Sequence, residues 1–538
     1  MAVRERSRAY VRLRTRQVKR ILPTLIAAAV SAAYLVIAPK SEDLAAHLLR
    51  AKLFATQGFG IWNNWWYAGH NIPGYSVLFP PIAALLTPQL AAAIAATVTA
   101  ALFEALAHRR YGEDAWLGAS WFGLATSTSL FTGRLTFAFG LMPAVGTALA
   151  LQHRRYGLAV ALAFVTPLAS PVGALFSALA GGAQAIAAYI PQRQIRPALP
   201  GTAVVIASAV PVLALAVAFP EGGVEPFAFS AFWPIVVISI AALFVIPKGD
   251  AALKAGVALY ALLCIASFAV ASPVGSNVTR LAPLVAGPLA ALYWWPKPGR
   301  RTAALVAVAV PLLYLQWQAP VRDIRTADDN AEVTAAYFQP LVTYLSTQND
   351  QPFRIEIPFT LFHWEAYLMA PEFPLARGWE RQLDIKYNGL FYDGTLTAST
   401  YRDWLHKVAV RYVAVSDKNL DYSAKQEVAL INRGLPYLDL VFRTRHWRVY
   451  AVRNPTSIVQ GAASLTDLGS DWLEVNGLRP GIAIVRVRYS PYWAVTEGDG
   501  CVSPDGDFTR LTVRRGGAIK VAMRFSLSRI GATSTRCS

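Results

Sequence analysis

Between residues 21 and 317 the chain runs through Ala, Leu, Val, Ile, Phe and Trp in stretches of about twenty, the length an α-helix needs to cross the hydrocarbon of a bilayer. Hydrocarbon offers no partner to a backbone N–H or C=O, so such stretches are confined to helices that satisfy those groups internally. From about residue 321 onward charged residues recur every few positions and the long apolar runs stop. The chain average blurs this division: 55% of the 538 residues are hydrophobic and 15% charged, where soluble domains carry roughly a quarter charged. The sequence predicts an α-helical polytopic membrane protein followed by a water-soluble region large enough for one or two domains.

Transmembrane helices are predicted at 21–38, 78–105, 115–131, 135–151, 156–170, 172–190, 199–219, 230–247, 255–271, 281–295 and 302–318, about eleven in all. Their connections alternate in charge. One set is Arg-rich: His108-Arg109-Arg110, His153-Arg154-Arg155, Arg193 with Arg196, Lys248 with Lys254, and Lys297 with Arg300 and Arg301. The other is poor in Lys and Arg, with Lys40, Arg50, Lys52, Arg134 and Arg280 as its exceptions. Basic connections stay in the cytoplasm. The N-terminus is therefore expected on the cytoplasmic side of the plasma membrane and, after an odd number of spans, the C-terminal region outside the cell. The pair flanking Ser170-Pro171 also reads as a re-entrant hairpin, which leaves the side of the C-terminus unchanged.

The formal net charge of +18 is concentrated early: Arg4, Arg6, Arg8, Arg12, Arg14, Arg16, Lys19 and Arg20 stand against Glu5 alone. A nucleic-acid-binding tail has this composition. Here the run abuts the first span, which makes it a cytoplasmic anchor on anionic membrane lipid, and no nucleic-acid partner is expected. The expected division is a basic tail (1–20), a transmembrane domain (21–319) with an outer loop (39–77), and an extracytoplasmic α+β domain (320–538) ending in a small β-sandwich.

In the soluble region, 352–358 reads as a strand with Phe353, Ile355 and Ile357 alternating against Arg354 and Glu356. Further strands are expected at 408–415, 447–452, 482–489 and 518–527, and a short amphipathic helix at 422–433. Cys264 lies in an apolar run and reads as packing, whereas Cys501 and Cys537 fall where a disulfide is plausible.

The candidate chemistry starts after the first span, at Ser41-Glu42-Asp43-Leu44-Ala45-Ala46-His47. On a helix Asp43 and His47 share a face. The bland alternative is that the acids only complement the start of the next helix, with Ser41 as its cap. Residues 58–81, GFGIWNNWWYAGHNIPGYSVLFPP, are too polar at Asn63, Asn64, His70 and Asn71 to span. Trp62, Trp65, Trp66 and Tyr67 are expected at headgroup depth.

With these residues the chain resembles the GT-C superfamily of polyprenyl-phosphate-sugar-dependent glycosyltransferases. The likeness rests on Glu42-Asp43, on Trp65 through Pro73, and on Tyr75 leading to Pro80-Pro81 at the entry to the second span. It is similar in particular to bacterial membrane proteins of the YfhO-like and 6-pyruvoyl-tetrahydropterin-synthase-related type, through Arg377-Gly378-Trp379-Glu380 and Ser490-Pro491-Tyr492-Trp493. The pterin label does not describe the chemistry, because the zinc it calls for has no His cluster here. The resemblance implies inverting transfer of a sugar from a polyprenyl-phosphate donor to a cell-envelope glycan or lipid on the outer face. In that family the loop acid takes the proton of the acceptor hydroxyl. Asp43 is the expected general base, with Glu42 as the alternative.

A departing lipid phosphate needs cationic help in a low-dielectric site. Arg134 and Arg280 break the Arg-poor outer side and are candidates for it, against the plain reading that both snorkel to headgroups. His47, His70, Asn277 and Trp66 complete the expected substrate-binding set. No cofactor is expected; a divalent ion on Asp43, His47 and His70 is the alternative. His363, Trp364, Glu365, Arg377, Trp379, Glu380, Arg381 and Asp384 either line an acceptor groove or dock the domain, and docking is favoured. No P-loop, G-x-S-x-G or H-E-x-x-H pattern is present. A transporter or flippase of a lipid-linked glycan, and a non-catalytic scaffold on this fold, are the competing functions. Transporters often carry internal repeats and mid-span polar groups, and neither is visible here.

Overall fold

The computed structural model describes residues 2–296, 299–327, 330–348, 352–532 and 537; Lys297 lies outside them. The chain forms two compact units built from interleaved segments. The first comprises Met1–Ser41, Tyr75–Ala214 and Val224–Asp328, and the second Glu42–Gly74, Leu215–Gly223 and Asp329–Ser538. This differs from the expected division at residue 320, because most of the outer loop and a short stretch near residue 220 belong with the C-terminal region.

The first unit is helical. Among the described residues, seven helical stretches are long and apolar enough to cross a membrane: Arg16–Ile37, Pro88–Phe131, Leu135–Gln152, Pro171–Gln192, Arg196–Ala218, Ala251–Ala269 and Arg300–Thr326. Helices also stand at the remaining predicted positions, Tyr156–Ala169, Phe229–Val245 and Leu281–Trp294, but they are shorter than those seven. The chain is thus a membrane protein by the length and composition of its helices.

The helix expected at 78–105 is broken into Phe79–Leu86 and Pro88–Tyr111. Pro88 has no N–H to continue the ladder and drives the residue before it out of the α region. Thr87 accordingly takes φ 79° and its hydroxyl accepts from Leu90 N (3.3 Å), capping the second helix. Ser170 and Asp250 cap Pro171–Gln192 and Ala251–Ala269 in the same way. In a bilayer, helices pack closely where small residues let backbones approach. Gly181 and Gly201 do this: a Cβ on Gly201 would stand 2.3 Å from the carbonyl oxygen of Gly181.

The second unit holds a four-stranded mixed sheet and a β-sandwich. The mixed sheet runs Arg354–Glu356, Val410–Ser416, Trp447–Val452, Leu438–Arg443, with only the first pair parallel. The expected alternation in its first strand fails. Arg354 and Glu356 are fully buried, like Ile355, because Arg354 donates to the carbonyls of Val408 and Arg486 and Glu356 faces an interior charge cluster.

The sandwich is two antiparallel sheets. One is Gly500–Asp505, Phe508–Val513, Gly481–Arg488, Val459–Gly461; the other is Trp493–Glu497, Gly517–Met523, Trp472–Gly477, Ala463–Leu468. Val485, Val502 and Leu511 of the first meet Leu473, Val475 and Val521 of the second in one core. Cys501 and Cys537 are disulfide-bonded, and Cys264 is a buried free thiol.

Candidate functional site

Glu42 and Asp43 form the first turn of the helix Glu42–Gln57, where free N–H groups and the helix dipole favour carboxylates. Both are partly exposed. One turn on, His47 is 1% exposed, and Arg50 is 6% exposed. Arg50 donates to Glu380 in an ion pair between buried side chains, 330 residues apart in sequence. The sequence marked Arg50 only as an exception on the Arg-poor side; nothing local announces a partner so far along the chain.

The aromatic loop that follows is interior. Trp62 lies in the sandwich core edge-on to Trp493, at 5.8 Å between centroids. Its Nε1 donates to Asn64 Oδ1 (2.7 Å), and Asn64 Nδ2 donates to the carbonyl of Gly469 (2.8 Å). Trp66 Nε1 donates to the carbonyl of Ala366 (3.0 Å), and a Cβ on Gly378 would stand 2.4 Å from Trp66 Cγ. The Tyr67 hydroxyl donates to Gly378 O (2.5 Å) and accepts from Glu380 N (2.8 Å). His70 is fully buried, its ring parallel to Trp66. Burial lowers the pKa of His70, so its ring is neutral. Neutral His70 can donate from Nδ1 to Asn71 O (3.1 Å) and accept at Nε2 from Asn63 Nδ2 (3.2 Å).

Trp62, Trp66 and Tyr67 are interior to the second unit and not exposed on its surface, and Trp66, His47 and His70, expected to touch substrate, are at most 1% exposed. Trp, Gly and Asn serve a membrane interface and a tightly packed turn equally well, so composition alone does not separate the two. What the structure adds is convergence. The loop, the Arg377–Glu380 stretch and the Ser490–Trp493 stretch, three far-separated motifs, pack together in one unit through Trp62–Trp493, Trp66–Gly378 and Tyr67–Glu380.

Behind this junction lies a buried charge network. Arg377 donates to Asp384 (2.6 Å), stands 3.5 Å from Glu427, and is sandwiched between the rings of Phe359 (3.9 Å) and Phe391 (4.0 Å). Arg381 donates to Asp421 (2.8 and 3.0 Å). His363 stacks on Trp379 at 3.5 Å, with its nitrogens 3.7 Å from Glu365 and Asp421. Burial pushes Glu365 up to about 8 and Glu427 up to about 7, and it pushes His363 down to about 4. Glu356 is also raised by burial and by the Glu427 charge. His363, Trp364, Glu365, Arg377 and Asp384 are at most 2% exposed, so the cluster is an interior and not the lining of a groove. Asp421, Glu427 and Tyr392 belong to it and went unnoticed in the sequence, where nothing sets them apart from surface polar residues.

Arg134 and Arg280 belong to the membrane unit. Each immediately precedes a helix, Leu135–Gln152 and Leu281–Trp294. The Arg280 guanidinium lies over the ring of Phe137 (5.5 Å), one turn beyond Arg134, and it donates to Asn277 Oδ1. The two arginines and Asn277 therefore share one end of the unit, all partly exposed. Among the described residues, no group of three or more His, Cys, Asp or Glu is placed to hold a metal ion.

No family model matches the sequence, and no curated protein matches it at a significant level.

Proposed function

We propose that the protein is a GT-C-type glycosyltransferase that moves a sugar from a polyprenyl-phosphate donor to a cell-envelope glycan or lipid on the outer face of the membrane. The observation that carries this reading is the gathering of Arg134, Arg280 and Asn277 at one end of the membrane unit. Guanidinium groups present cationic charge and a planar fork of N–H donors to a phosphate. Asp43 serves as base: it is partly exposed, stands in a helix first turn, and takes the proton of the acceptor hydroxyl as that oxygen attacks the anomeric carbon. The carbon–phosphate-oxygen bond breaks, and the lipid phosphate leaves with its charge on the arginines. Glu42 is the alternative base.

This reading adopts eleven spans, with the N-terminus cytoplasmic and residues 320–538 outside. Membrane-impermeant thiol labelling of single cysteines introduced at exposed positions of the second unit tests the orientation. Mass-spectrometric profiling of lipid-linked sugars and envelope glycans in producing cells tests the chemistry. Loss of a general base costs about 10²–10⁴-fold, so Asp43→Asn and Asp43→Ala should abolish product and accumulate donor. Unchanged product in both Asp43 variants and in the corresponding Glu42 variants would leave a scaffold. Accumulation of donor on the cytoplasmic face alone would indicate a flippase.

A further inference from the structure

The membrane unit contains an apolar cavity of about 510 Å³ between the helices Pro88–Tyr111, Leu135–Gln152, Pro171–Gln192, Ala251–Ala269 and Leu281–Trp294. Its wall includes Phe103, Phe176, Leu281 and Val285 at one end. At the other end stand Arg110, Tyr111, Gln152, Gln184 and Asp250. Along one wall, from Leu281 to Leu292, the depth is roughly 16 Å at the helical rise per residue, about the thickness of one leaflet's hydrocarbon.

The apolar depth of this space offers water no polar partners, and left empty it forfeits the contacts of its lining. The polar end narrows the identity of what fills it. Asp250 is already neutralised: Arg110 donates to it (2.8 and 3.1 Å), as do the Tyr293 hydroxyl and Leu253 N. Gln152 and Gln184 donate from Nε2 to the carbonyls of Leu106 and Pro197, and among the described residues their buried Oε1 atoms have no hydrogen-bond donor. Arg109, beside Arg110, approaches His153 (3.4 Å), and Arg154 and Arg155 follow directly, all exposed. The mouth therefore combines a paired Asp250 and two amide oxygens without donors with a surplus of exposed guanidinium charge.

We infer that this cavity binds one acyl chain of an anionic phospholipid, with the lipid phosphate held by Arg109, Arg154 and Arg155. The lipid enters from the Arg-rich leaflet and ties the five helices together from within. This site stands apart from the proposed sugar transfer and does not depend on it.

The test uses the full-length protein in nanodiscs and counts retained lipid by native mass spectrometry, comparing phosphatidylglycerol with phosphatidylcholine of the same chains. The native protein should retain one phosphatidylglycerol in preference to phosphatidylcholine. Arg109→Gln and Arg154→Gln should each cut that preference roughly fivefold while a lipid chain is still retained. Gly256→Leu and Ala148→Leu fill the cavity from two different helices, and either one that remains folded should abolish retention of both lipids. Equal retention of the two lipids by the native protein overturns the headgroup assignment. Undiminished retention in a folded cavity-filling variant overturns the site.

Discussion

Gly378 is held to glycine by the indole it touches. A Cβ there would meet Trp66 Cγ and Cβ at 2.4 and 2.5 Å, and that ring is fixed by its bond to Ala366. Overpacking a rigid interior costs about 1–3 kcal/mol or more. Gly378→Ala should lower the thermal midpoint of the second unit, read by tryptophan fluorescence of the detergent-solubilised protein. Glu365 makes a prediction of a different kind. Its carboxyl, raised by burial to about 8, takes a hydrogen bond from the Thr360 hydroxyl (2.7 Å). A raised carboxyl contributes stability in full below its ordinary value near 4.5, and that contribution is lost as pH rises through the folded value. Between pH 6.5 and 8 the unfolded chain has already lost this proton and the folded one has not, so stability falls by about 2 kcal/mol. Below pH 6.5 the lowered pKa of His363 works in the opposite sense, which is why the upper window is the informative one. Glu365→Gln should flatten the decline in denaturation midpoint between pH 6.5 and 8; an unchanged slope would show that the carboxyl is ionised in the fold.

At the scale of elements, local pattern served where each element faces one environment. The strand expected at 447–452 is Trp447–Val452, and 482–489 appears as Gly481–Arg488. The pattern failed where polarity and burial part company. Arg354–Glu356 alternates in chemistry but is buried throughout: Arg354 donates to two carbonyls, and burial favours the neutral form of Glu356. The helix Glu42–Gln57 was legible as acids at a helix start, yet its buried face is set by Arg50 pairing with Glu380, which no local window contains. The disulfide Cys501–Cys537 closes a separation of 36 residues and ties the end of the chain to the sandwich. Such a crosslink contributes typically 2–4 kcal/mol, chiefly by restricting the unfolded chain. Cys537→Ser should lower the unfolding free energy of the second unit, read from urea titration, by that order and, with Cys501 4% exposed, leave a thiol that reacts slowly until the strand opens.

At the scale of the whole molecule, the membrane character was plain from run length alone, because hydrocarbon admits so few backbone solutions. The number of spans was less plain, since Tyr156–Ala169 and Leu281–Trp294 are 14 residues each, below the roughly 17–25 residues a bilayer-spanning helix needs. The rarity of charge on one set of connections singles out Arg134 and Arg280 in the sequence; that the Arg280 guanidinium lies over Phe137, one turn from Arg134, is a tertiary contact no local window contains. The aromatic motif is legible in the sequence, but its packing partners are not, because they lie three and four hundred residues away.

The interleaving of segments also governs how the protein can be made. Trp62 and Phe219 lie in the same core as Trp493 and Val521, yet a ribosome adding about 5–20 residues per second delivers the first of them tens of seconds before the last. Throughout that interval the segment from Glu42 to Gly74 carries a cluster of greasy rings with nowhere to bury them, a standing demand for a holdase. A polypeptide started at residue 320 would lack these pieces altogether; it should be recovered as aggregate, and co-expression with residues 1–319 should rescue it.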